Sequence, residues 1–420
     1  MASKIISILI VGAGNRGQAY ANFVKEHAEN AHVVGVAEPR EFQRTEMVQD
    51  HGIPDKNIFS GWKEAAEAER VADVVVIATQ DNMHVEPVEA FAAKGYHILL
   101  EKPMAQTEEG CDRIAKAVKE SGVIFAVCHV LRYTTYTQKL KALLDEGRIG
   151  DMISVQHLEP VGFSHQAHSF VRGNWRNEAE SSFMLMSKSC HDIDWLEYII
   201  GVPCQKVSSF GGLNHFRSEN QPEGATDRCL DCPAAVESKC PYSAKRYYFD
   251  HLEKKNIQWP LSIVTDDYTE EGVTKALRDG PYGRCVYACD NDVIDHQVVN
   301  MQYEGNISVT FTLTAFTGMG YGRSTRIFGS RGEIFGDSRK IKITDFLTGE
   351  IEEIDTEAGD LTAGGGHGGG DGGLMARFIS SVAANDPNLV ESGINETFAS
   401  HKLIFAAEKA RREGQVIEFS

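Results

Sequence analysis

The chain has no apolar run long enough to cross a membrane. Its longest runs, such as VADVVVIAT at 71–79, are strand-length, whereas a bilayer span needs ~20 residues. It also lacks a basic excess, with 42 Lys and Arg against 60 Asp and Glu and a net charge of −18. That balance excludes nucleic acid and anionic membrane surfaces as partners, because no basic stripe offsets phosphate repulsion. No basic n-region, small-residue cleavage site or twin arginine precedes the first apolar run, so the expected location is the cytoplasm. In that reducing compartment the nine cysteines are expected as thiols or ligands, without a disulfide framework. There is no internal repeat. Hydrophobic residues at 42% and charged residues at 24% are ordinary for a soluble globular protein, and 420 residues predict two to three domains.

What is present begins with an apolar strand, IISILIV, that runs into Gly12-Ala13-Gly14-Asn15-Arg16-Gly17. The first glycine of such a turn permits the sharp strand-to-helix reversal. The second lets a pyrophosphate approach the backbone, and the third lets the helix pack on the strand. Phosphates would sit on the free amides and the positive dipole end of the helix that starts near Asn15. Alone the string is weak, but here an amphipathic stretch follows, and Glu38 closes the next apolar run 21 positions beyond Gly17. A carboxylate there accepts the ribose hydroxyls and repels a 2′-phosphate, which favours NAD over NADP. Arg40 argues the other way, and a merely solvated acid is the bland reading.

Up to residue 128 short β runs (near 4–11, 32–37, 73–78, 96–100 and 123–127) alternate with helical stretches (near 15–28, 61–69, 82–94 and 106–120). This predicts an α/β Rossmann dinucleotide-binding domain over 1–128. Beyond it the pattern changes. Ile307, Val309, Phe311 and Leu313 alternate with polar residues, and RKIKITDFLTGEIEEI reads as a hairpin turning at Thr348-Gly349. Residues 129–420 are therefore expected to form an α+β domain on an open, mostly antiparallel sheet. Within it lies a cysteine-containing insertion at 215–290 with little patterned hydrophobic content, and a last helix spans 396–412.

The fifth apolar run ends in Glu101-Lys102-Pro103. Ligands of open α/β sheets bind at the carboxyl ends of strands, so Lys102 should face the nicotinamide and could move a proton there. With GAGNRG, the Ala78-Thr79 strand end followed by Asp81-Asn82-Met83-His84, EKP, and His191 to Asp194 in CHDID, the chain resembles the Gfo/Idh/MocA family of NAD(P)-dependent sugar and cyclitol oxidoreductases. The resemblance implies that Lys102 and His191 are catalytic and that Lys102-Pro103 is a cis bond. It implies that Thr79, Asn82, His84 and Glu101 join Gly12, Gly14, Asn15, Arg16, Gly17 and Glu38 around the cofactor. It further implies a C-terminal helix that braces the dinucleotide domain, and a homodimer or homotetramer formed through the second sheet.

One departure stands out. Where many members place an aspartate four residues before the histidine, this chain has Ser187 followed by Lys188. Lys188 could depress the pKa of Lys102, bind an acidic substrate or simply lie on the surface. His191 and Asp194 share a helix face. Arg132 and Tyr133 are expected to line the cleft, and Trp175, near Arg172 and Arg176, to stack on a sugar. His367 and Asp371 lie in a segment with eight glycines in ten positions. That segment resembles a His-Gly-Gly-x-Asp string of the family's NAD-dependent glycosidase branch, and both residues are expected to touch substrate.

Cys229 and Cys232 form a C-x2-C pair, followed by Cys240 and then Cys285 or Cys289. This spacing suits a structural zinc, with an iron–sulfur cluster or plain thiols as alternatives. Three functions remain open at this stage. They are an NAD-dependent dehydrogenase of a carbohydrate substrate, an NAD-dependent glycosidase working by transient C3 oxidation, elimination, hydration and re-reduction, and a non-catalytic sugar or NAD sensor.

Overall fold

The computed structural model describes residues 4–320, 322–356 and 368–419. Six strands form a parallel sheet: β1 (Ile6–Val11), β2 (Ala31–Ala37), β3 (Ile58–Phe59), β4 (Val74–Ile77), β5 (His97–Leu100) and β6 (Phe125–Val127). Their order, 3-2-1-4-5-6, is doubly wound. The runs at β1, β4 and β5 do not alternate because helices cover both faces of the sheet. One face packs Ile6, Ile8, Ile10, Tyr20 and Phe23, the other Leu9, Val75, Ile77, Phe91 and Leu100. The sequence reading missed the two-residue β3 and the helix Glu41–His51, which buries only Met47 and so carries almost no periodic signal.

The second sheet contains β7 (Met152–Pro160), β8 (Cys204–Gly212), β9 (His296–Tyr303), β10 (Ser308–Thr314), β11 (Ser324–Gly329), β12 (Gly332–Gly336), β13 (Lys340–Asp345), β14 (Ile351–Asp355) and β15 (Ile417–Glu418). The order is 14-13-12-11-7-10-9-8-15. Every pairing is antiparallel except β10 with β7. Val309, Phe311 and Leu313 point inward from β10 onto Ile193, Leu196 and Leu403, as their period of two requires. The hairpin β13–β14 turns at Gly349, whose φ is 72°.

Two late helices tie the sheets together. Helix Gly370–Ala384 places Leu374, Met375 and Phe378 in the core of the first sheet, so the unit expected over 1–128 is completed from the other end of the chain. Helix Ile394–Glu413 packs Phe398 on the first sheet's core and Leu403, Ile404 and Ala407 on the second's. The insertion also differs from its reading. It has its own core of Tyr248, Leu261, Val273, Leu277 and Tyr282. Its helices Ala244–Glu253 and Glu270–Asp279 bury Ala244 with Tyr248 and Val273 with Leu277 at the i, i+4 spacing. Ser243 and Thr269 cap them, each accepting a backbone N–H from the first turn. Among the described residues no helix is long and apolar enough to cross a membrane.

Candidate active site

The glycine turn has three distinct environments. Gly12 has a φ of 91°, and a Cβ there would stand 2.5 Å from the Ala78 carbonyl oxygen. A Cβ on Gly17 would fall 2.0 Å from the Gly12 carbonyl oxygen, so the helix approaches the strand as closely as only glycine allows. A Cβ on Gly14 would meet nothing nearer than Arg40 Nη2 at 3.5 Å. The space there is open, above a helix N-terminus that no side chain caps, which is the cradle a pyrophosphate needs. Glu38 is buried beside it, accepting Ala13 N–H at 2.7 Å and Arg40 Nε at 2.8 Å. Burial pushes the Glu38 carboxyl up, but the hydrogen bonds from Arg40 and Ala13 outweigh it and hold the group below its usual range.

At the end of β5 the Lys102-Pro103 peptide is cis. Lys102 Nζ crosses to the second unit and donates to the Ser187 carbonyl at 2.7 Å. The Ser187 hydroxyl turns back toward the Phe183 carbonyl of its own helix at 3.3 Å. Ser187, where the resemblance led to the expectation of an acid, therefore offers Lys102 its backbone carbonyl. One turn further on, buried His191 meets His129 edge-on at a ring distance of 6.0 Å. His129 is fully buried, 3.7 Å from Asp194, and 5.7 Å from the ring of His401. His401 accepts Met104 N–H at 3.0 Å, which ties the last helix to the loop carrying Lys102.

Residues 6–129 match the oxidoreductase family Gfo/Idh/MocA, NAD-binding Rossmann fold, and residues 141–419 match the C-terminal alpha/beta domain of that family. The chain belongs to the Gfo/Idh/MocA oxidoreductase family. Curated relatives of this family chain include a 2,7-anhydro-N-acetylneuraminate hydratase of Escherichia coli, 28% identical over 50% of this chain and 53% of the relative. Another is an inositol 2-dehydrogenase of Streptomyces avermitilis, 28% identical over 54% of this chain and 61% of the relative. The chain thus spans little more than half the length of these two. A solved levoglucosan dehydrogenase, in complex with NADH and levoglucosan, superposes over 99% of both chains with a TM-score of 0.72. At 16% identity that likeness concerns the fold.

Several residues expected to touch ligand are engaged elsewhere in this family member. Arg132 makes a bidentate pair with Asp194 at 2.7 and 2.8 Å, both buried, and donates to the Glu391 carbonyl at 2.6 Å. Tyr133 Oη accepts the amides of Glu391 and Ser392 at 2.9 and 3.0 Å. Both residues anchor the segment that leads into the last helix. His84 is fully buried, with Nδ1 at 2.7 Å from the Pro103 carbonyl, so it braces the lysine loop from behind. Glu101 accepts Arg16 Nε at 2.5 Å and Tyr20 Oη–H at 2.6 Å. Asp371 pairs with the same Arg16. Arg16, Glu101 and Asp371 therefore form one charge network beneath the glycine turn, joined to the helix from Gly370. Lys188 is held by Glu159 at 3.0 Å, Glu159 by Arg323 at 3.0 Å, and Arg323 by Asp192 at 2.5 Å. Two cations and two acids cancel there, so Lys188 is no free cation.

Thr79 donates to the Met83 carbonyl at 3.0 Å, while Asn15 and Asn82 are exposed at the mouth of the turn. Trp175 packs on Phe170 at a ring distance of 6.2 Å. His367 lies outside the described residues. The metal expectation is not met. Cys229, Cys232, Cys240 and Cys285 line one cavity of about 20 Å³. Among the described residues, however, no three His, Cys, Asp or Glu side chains group to hold a metal. Cys229 Sγ lies 3.6 Å from Arg172 Nη2 and Cys285 Sγ 3.8 Å from Gln221 Nε2, and the insertion is held by its own apolar core instead. The sequence reading missed Glu159, His165, Arg323, His129 and His401, none of which falls in a motif.

Burial, reinforced by Arg132 and Lys102 against the pull of Asp194, takes the pKa of His129 from 6.5 to about 4. Burial and the neighbouring His129 take His401 to about 3. Both rings are neutral in the native protein and gain protons on unfolding in acid. Their contribution is complete above pH 6.5 and is lost as the pH falls from there toward 4 and 3 respectively. The cost is ~1.4 kcal/mol per pH unit per histidine. The melting temperature should therefore fall across this window, and His401→Gln should flatten the slope. An identical slope in the variant contradicts the assignment.

Proposed function

We propose that the chain is an NAD-dependent oxidoreductase acting on a secondary alcohol of a sugar, glycoside or cyclitol. The observation that carries this reading is Lys102 Nζ, which leaves the end of β5 and reaches the Ser187 carbonyl in front of His191. The open space at Gly14 and the uncapped helix from Asn15 fit a dinucleotide's pyrophosphate. NAD bound there supplies the hydride acceptor. Lys102, oriented by Ser187, holds the substrate hydroxyl and in its neutral form takes the hydroxyl proton. His191 offers a second polar group on the substrate side, and His129 and Asp194 behind it restrict how the ring can turn. Buried Glu38 supports NAD over NADP, because its carboxylate occupies the place a 2′-phosphate would need and Arg40 is already committed to it.

A second reading is a redox-assisted glycoside hydrolase, in which the cofactor stays in place. It is favoured by the hydratase relative and by the backbone carbonyl that replaces an acid beside Lys102. The outward residues Phe210, Val298, Thr312 and Leu158 pair successively across β8, β9, β10 and β7. Phe210 is 64% exposed on that face. This supports self-association through the second sheet.

Incubation with a panel of sugars, cyclitols and glycosides separates the readings when NADH absorbance and aglycone release are followed together. Stoichiometric NADH without cleavage is the expected result, and cleavage with no net NADH selects the hydrolase. Lys102→Ala should lower kcat by at least ~10²-fold; full activity in that variant defeats both, and silence of the wild type toward every compound favours the sensor. Glu38→Ser should reduce the NAD-to-NADP ratio of kcat/KM by about tenfold or more, through loss of charged hydrogen bonds to the ribose. An unchanged ratio removes Glu38 from cofactor selection. Light scattering should report a dimer or larger assembly that Phe210→Glu weakens, and a monomeric wild type refutes the association.

A further inference from the structure

The insertion packs on the chain that follows β7. β7 ends at Pro160, its Glu159 holds Lys188, and the chain then turns into the short helix Phe163–His165. Burial keeps the His165 ring neutral, and the charges of Lys188 and Lys102 act in the same direction. Its ring meets Trp259, from the insertion, at 5.0 Å and 73°. On another side the indole meets His168 at 5.2 Å and 84°. His168 is itself locked, with Nδ1 at 2.7 Å from Tyr248 Oη and its ring stacked 4.8 Å from Tyr282. Both tyrosines belong to the insertion's buried core.

Trp259 is therefore held rigidly, yet 37% of it remains exposed, with Ile257 and Ile263 exposed nearby in the chain at 42% and 37%. An indole fixed on a buried support loses little entropy when a flat partner covers it. The His165 ring is neutral, so covering it desolvates no charge on the imidazole. We propose that Trp259 and His165 form an aromatic subsite for the flat apolar face of a ring joined to the reacting sugar, either a second sugar ring or an aromatic aglycone. The inference rests on the carbohydrate reading of the Lys102 site and adds to it a preference for extended glycosides. It also moves the stacking surface from Trp175 to a residue of the insertion.

The test compares a sugar the protein turns over with the same sugar bearing a second pyranose ring and with its 4-nitrophenyl glycoside. Trp259→Ala should lower kcat/KM for the extended compounds about tenfold more than for the simple sugar, and Trp259→Phe less so. A larger effect on one extended compound identifies which ring the subsite prefers. Equal losses on all three compounds, or none, overturn the subsite. Circular dichroism of Trp259→Phe controls for folding. If the wild type turns over no sugar, the functional reading fails, and the subsite is then judged by binding alone. Quenching of indole emission by the extended compounds, present in the wild type and lost in Trp259→Phe, sustains it; no difference between the two proteins overturns it.

Discussion

The buried pair of Arg132 and Asp194 holds the two halves of this molecule in register. Arg132 follows the last strand of the parallel sheet, and Asp194 sits on the helix behind the second sheet, three residues after His191. Ser400 of the last helix donates to the same carboxylate at 3.1 Å, and Arg132 also binds the Glu391 carbonyl. Three segments far apart in the chain thus converge on one carboxylate. Burial raises the pKa of Asp194, but the charge of Arg132 and the hydrogen bonds from Arg132 and Ser400 outweigh it and keep it ionised. Breaking such a pair leaves an uncompensated buried charge, at a cost of about 3–5 kcal/mol. The reach of Lys102 to Ser187 depends on that register.

The charges around the candidate site are largely neutralised in pairs. Arg16 is shared by Glu101 and Asp371, and Lys188 and Arg323 share Glu159 and Asp192. The deeper histidines are kept neutral by burial. Lys102, by contrast, rests its Nζ on a backbone carbonyl.

Much of the first unit was legible in the chain. The strand, the glycine turn and Glu38 are read from local chemistry, since each glycine answers to backbone geometry within a few residues. The alternation in β10 likewise declared a half-buried strand. The second site was less legible. Arg132, Tyr133 and Asp371 read as cleft residues because polar groups near a motif invite that role; their partners, Glu391, Ser392 and Arg16, are up to several hundred positions away. The cysteines had the spacing of ligands, but the i, i+4 pairs that build the insertion's core were the stronger signal.

Local order alone decides the dinucleotide fold, the place of the glycine turn and the position of Lys102 at a strand's carboxyl end. These follow from periodicity and backbone sterics, which act over a few residues. Only the assembled molecule decides that Lys102 rests on the Ser187 carbonyl, that Lys188 is neutralised, and that Trp259 packs on His165. Those outcomes turn on which distant groups share a buried volume, where an unpaired charge or polar atom is too costly to leave alone.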